Sequence, residues 1–65
     1  MFDKNQMSEI FKLTKCGTIT EVSECLMRFK YKNIDELCTE ALTLGVNCDV
    51  SVDQAKVEIT ITPKK

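Results

Sequence analysis

The segment "RFKYK" sets cationic side chains at Arg28, Lys30 and Lys32 between the aromatic rings of Phe29 and Tyr31. Cations alternating with rings suit a nucleic-acid strand, the charges meeting phosphates and the rings stacking on nucleobases. The competing explanation is structural: Phe29 completes a core, and the charges solvate the turn around it. So few cations supply few phosphate contacts, which favours the structural explanation. Immediately downstream, "NIDELCTEALTLG" carries the opposite charge. At helical spacing Asp35, Glu36, Thr39, Glu40 and Thr43 face away from an apolar stripe. Such an acidic face would dock on a basic partner or mimic nucleic-acid charge, unless it is simply a solvated surface.

No other residues point to chemistry. Cys16, Cys25, Cys38 and Cys48 are widely spaced, none forms a CxxC pair, and the chain has no histidine. Zinc sites use close ligand pairs, so no metal or cofactor is expected. Cys25, Cys38 and Cys48 fall on apolar faces, where a thiol acts as a small hydrophobe. Buried, reduced thiols are therefore expected rather than a disulfide framework. Glu21 and Glu24 read as helix-start and surface charge rather than an acid/base pair. Without a Ser/His or Cys/His pairing or a Gly-rich phosphate loop, no enzyme activity is expected.

The elements that position these residues must fit in 65 residues, enough for one domain with a small core. The net charge is -1, with 9 Lys and Arg against 10 Asp and Glu. That lacks the cationic excess of a nucleic-acid-binding domain. The opening "MFDKNQMSEI" has an acid at position 3 and no apolar run, so no signal peptide is expected. No stretch approaches a membrane span, and the expected location is the cytoplasm.

Three helices and a hairpin account for nearly every residue. The first helix is expected over 4–15, with Asp3 as its N-cap, Met7, Ile10, Phe11 and Thr14 on its apolar face, and Gly17 taking a left-handed turn after its end. The second is expected over 19–30: Thr18 and Glu21 have capping-box spacing, and Ile19, Val22, Leu26 and Phe29 recur at helical intervals. The third is expected over 34–44, capped by Asn33, with Ile34, Leu37, Cys38, Ala41 and Leu42 inward and Gly45 closing it. The period then changes to two. Val46, Cys48, Val50 and Val52, then Val57, Ile59 and Ile61, alternate with polar residues, predicting strands over 46–52 and 57–62 joined as a hairpin. Lys64 and Lys65 form a solvated tail.

This order, with "TEVSECL" (Thr20 to Leu26) where a second helix would begin, resembles a winged helix-turn-helix domain. "EIFKLTKCG" resembles that family's first helix, and "EALTLGVNCDVSVDQAKVEITITP" its recognition helix and wing. The resemblance covers roughly residues 9–63 and implies an α+β fold of three short helices followed by a C-terminal two-stranded antiparallel hairpin. It also implies a DNA-binding regulator, with Arg28, Lys30, Lys32 and Lys56 as contacts. Two features depart from the family: Met27 stands where a Gly is common, and the third helix is acidic where it would meet a polyanion.

The preferred reading is therefore a small non-catalytic protein-interaction or regulatory module, such as a phage-type inhibitor. It would bind a protein partner through Asp35, Glu36, Thr39, Glu40 and Thr43. DNA binding is the alternative. A homodimer is also expected, because "VEITIT" would form an unprotected strand edge.

Overall fold

The structure, a computed structural model describing residues 1–64, opens with a reciprocal cap. The Asp3 carboxylate accepts from the Gln6 backbone N–H at 2.7 Å, and the Gln6 side chain accepts from Asp3 N at 3.0 Å. Helix α1 follows over Lys4–Leu13. Strands β1 (Thr18–Val22) and β2 (Met27–Lys30), helix α2 (Ile34–Leu44), and strands β3 (Cys48–Asp53) and β4 (Glu58–Pro63) complete the chain. The strands form one antiparallel sheet in the order β1-β2-β4-β3. Ile10 of α1 and Leu37 and Leu44 of α2 share a core with Met27, Phe29, Ile59 and Ile61 of the sheet. Phe2 and Tyr31 close that core at its margins.

The α+β class holds, but the architecture is two helices and a four-stranded sheet, not three helices and a two-stranded hairpin. The helix expected over 19–30 is a β-hairpin, so no helix-turn-helix and no winged-helix-like arrangement is formed. A bulge explains the false helical spacing. Ile19 pairs with Phe29 and Val22 with Met27, while the register shifts between Ile19 and Glu21. One extra residue returns a side chain to the same face after three positions instead of two, imitating a helical step. The Thr20 hydroxyl donates to Arg28 O at 3.2 Å within this bulge. Ser23 then turns the chain: its backbone N–H donates to Leu26 O at 2.8 Å, and its hydroxyl oxygen accepts from Leu26 N at 3.0 Å. Glu21 is not a cap but lies 3.2 Å from Arg28 in a surface ion pair.

The stronger signal lay in "MRFKYK". Met27, Phe29 and Tyr31 are buried, and Lys30 and Lys32 between and after them are exposed. That is a strand's period of two.

Other boundaries moved less. Helix α1 ends at Leu13, where the Thr14 hydroxyl donates to Ile10 O at 2.8 Å. Gly17 and Gly45 do not adopt left-handed backbone; among the described residues only Val57 does, at φ 53°. The expected hairpin exists, shifted by a residue or two. Its C-terminal strand is not an edge, however. β4 lies between β2 and β3, so the open edges are β1 and β3. Lys64 is exposed, and Lys65 lies outside the described residues.

All four cysteines are free, but only Cys48 is buried. Cys25 is exposed because it sits in the β1–β2 turn rather than on a helix. Cys38 is exposed because α2 is rotated from its expected orientation. Ile34 and Leu42, expected inward, are 40% and 79% exposed, while Glu40, expected outward, is 5% exposed. The true inward stripe is Leu37, Glu40, Ala41 and Leu44.

Candidate functional site

Asn33 starts α2, its side-chain oxygen accepting from Glu36 N at 2.8 Å. This fixes where the helix begins, and Glu40 ties it to the connection between α1 and β1. Asp35, Glu36, Thr39, Glu40 and Thr43, the five residues selected from sequence, line one groove of about 400 Å³. The opposite wall is Leu13, Lys15 and Cys16, none of which sequence reasoning selected. Their proximity depends on where the turn after α1 lands, and no local pattern encodes that.

Glu40 forms the floor, and its carboxylate is committed inward. One oxygen accepts from the backbone N–H groups of Lys15 at 3.1 Å and Cys16 at 2.6 Å. The other accepts from the Tyr31 hydroxyl at 2.9 Å. A buried carboxylate is tolerated only when paired in this way. Burial pushes the Glu40 pKa up, but the hydrogen bonds from Cys16, Tyr31 and Lys15 outweigh it and hold the group below the ordinary range. Its neighbours shift as well. Burial, then the bond to Glu40, raises Tyr31 well above a normal phenol. A hydrogen bond to Glu40, then burial, raises the Cys16 thiol.

The rest of the groove is shaped for contact. The hydroxyls of Thr39 and Thr43 donate back to the helix carbonyls of Asp35 and Thr39, at 3.0 and 3.2 Å. With those hydroxyls turned back to the helix, Thr39 and Thr43 line the groove together with the less polar Leu13 and Cys16. Asp35 and Glu36 border it at the N-terminal end of α2, with Lys15 on the facing wall.

The cations of the alternative reading do not gather in this way. Lys30 and Lys32 line a shallow depression with Thr18, Thr20 and Tyr31. Arg28 is engaged by Glu21 at 3.2 Å and by Thr60 at 3.4 Å. Lys56 lies in the β3–β4 turn, its backbone N–H bonded to Asp53. Phe29 and Tyr31 are buried, so no ring of this segment is offered for stacking.

Comparison with known proteins finds no family model, no characterised relative and no solved structure that matches this chain. Among the described residues no helix is long and apolar enough to cross a membrane, and no three Cys, Asp or Glu side chains gather to hold a metal ion.

Gly17 belongs to the Glu40 assembly. A Cβ there would lie 2.6 Å from the Tyr31 ring, and no backbone conformation forces glycine at this position. Gly17→Ala should displace Tyr31 and loosen its bond to Glu40, costing about 1–3 kcal/mol. Urea unfolding of Gly17→Ala, Tyr31→Phe and the double variant measures this. The two effects should be strongly sub-additive, because both act through one contact.

Proposed function

We infer that this chain is a non-catalytic protein-interaction module that holds a basic segment of a partner protein in the groove between α2 and the α1–β1 connection. The observation that carries the reading is the grouping of Asp35, Glu36, Thr39 and Thr43 with the less polar Leu13 and Cys16 over a floor made by Glu40. A less polar lining with carboxylates at one end suits an aliphatic stem carrying a cationic head, as in Lys or Arg. The two buried groups that could do acid/base work are engaged with each other and with the backbone: Glu40 accepts from Lys15 N, Cys16 N and the Tyr31 hydroxyl. A regulatory role in the cytoplasm, where free thiols persist, belongs to the same reading.

The test compares retention of host-lysate proteins on the immobilised wild type, on Asp35→Asn/Thr43→Arg, and on the control Lys30→Glu/Lys32→Glu. A partner should be held by the wild type and the control and lost by the groove variant, and its binding should weaken with salt. Loss in the control alone would reject the groove and favour the cationic depression. Asp35 and Thr43 are exposed, so the groove variant should melt within a few degrees of the wild type.

A further inference from the structure

The sheet has two edges, and they are not equivalent. β1 is broken by the bulge at Thr20, which bends an edge away from further pairing. β3 runs through six consecutive register pairs with β4 without a shift. Within Cys48–Asp53 it has no proline and no lysine, the residues that commonly guard an edge. Its sequence also suits itself. If two copies of β3 pair antiparallel about a two-fold axis, residues on the same face must meet. With Val50 on the axis, Asp49 meets the second copy's Ser51, a carboxylate opposite a hydroxyl. Cys48 meets the second copy's Val52 on the helix-bearing face. Moving the axis to Ser51 would set Asp49 against the second copy's Asp53, and directly opposed like charges are unfavourable.

We propose that the chain forms a two-fold symmetric homodimer through β3, joining two sheets into one of eight strands with Val50 on the axis. The edge is about 20 Å long, too short alone for the roughly 800 Å² per partner of a standard interface. The end of α2 supplies more. Gly45 sits against Val50, at 3.9 Å from a Cβ position to Val50 Cγ2. Leu42 and Val46, on either side of Gly45 in sequence, are 79% and 71% exposed. Val52 adds a further half-exposed apolar side chain at 43%. A second copy covers these residues and satisfies the unpaired backbone groups of β3 together. A two-fold axis closes the assembly, so no fibre results.

Sedimentation equilibrium at high micromolar concentration should give twice the chain mass. Val52→Lys puts a charge on the inward face of the edge and should return the monomer. Leu42→Lys, at a position 79% exposed, should weaken the dimer at least about tenfold while leaving the melting curve of the dilute monomer unchanged. Val50→Cys should form an intermolecular disulfide at position 50, located by peptide mapping under mild oxidation. A monomeric wild type overturns the proposal and leaves the groove reading untouched, as does a dimer indifferent to Leu42→Lys. A dimer dissociated by Asp35→Asn/Thr43→Arg would place the contact in the groove and overturn it as well.

Discussion

Glu40→Ala should remove about 3 kcal/mol of folding stability. The change strands two backbone N–H groups and the Tyr31 hydroxyl, and a buried donor without its acceptor costs about 1–3 kcal/mol. Exposure of Lys15 and Cys16 lets water recover part of the loss, which keeps the figure near the lower end of the sum. A domain of this size has roughly 3–10 kcal/mol in total. The melting temperature should therefore fall by more than about 10 °C, measured by circular dichroism. Glu40→Lys, which buries a cation against N–H donors, should not fold. The same carboxylate gives an acid dependence. Its folded-state pKa is lowered, so its stabilisation is fully present above the unfolded value near 4.3 and is lost as pH falls through the folded value. Wild-type stability should drop on acidification below about pH 4, and Glu40→Gln, which cannot titrate there, should show a smaller drop. Parallel pH profiles for the two proteins would show that Glu40 does not carry the dependence.

Phe29→Ala should cost about 4 kcal/mol, the range for a fully buried phenylalanine. Phe29 has no solvent exposure and pairs across the sheet with Ile19 on one side and Ile59 on the other. Its neighbour Lys30 is exposed, and Lys30→Ala should stay within about 0.5 kcal/mol. Met27→Ala should resemble Phe29→Ala, while Arg28→Ala should cost no more than about 1 kcal/mol, the worth of its surface ion pair. Urea midpoints along this series test the strand directly. Large losses at alternate positions support a sheet. Losses following the helical spacing of Leu26 and Phe29 would contradict it.

The same segment shows why periodicity misleads over residues 19–30. "MRFKYK" alternates strictly, and β2 was legible there. The preceding "TITEV" is rich in β-branched residues, which favour strands. The bulge at Thr20 puts Ile19 and Val22 on one face three residues apart, which with Leu26, Phe29 and the capping-box spacing of Thr18 and Glu21 imitates a helix. The winged-helix resemblance rested on the same residues, so it fell with them as a description of the fold.

Short-range physics was settled by the sequence itself. Asp3 and Asn33 cap the helices, and the alternation after Val46 makes β3 and β4, because a cap or a strand's period depends on residues within a few positions. Asp35, Thr39 and Thr43 are exposed as helical spacing predicts, but Glu40, placed on the same outward face, is buried. What turns each side chain in or out at the margin of a stripe is different. Glu40 sits inside because the turn after α1, 24 residues earlier, presents two backbone N–H groups to it, and Tyr31 adds a third donor. Leu42 sits outside because that rotation of α2 carries it to the surface. The sheet order was likewise decided in three dimensions: β4 became central only because a first hairpin existed for it to pair with. Caps and periods are set by neighbours along the chain, but the burial of a carboxylate is set by donors that only the folded backbone delivers.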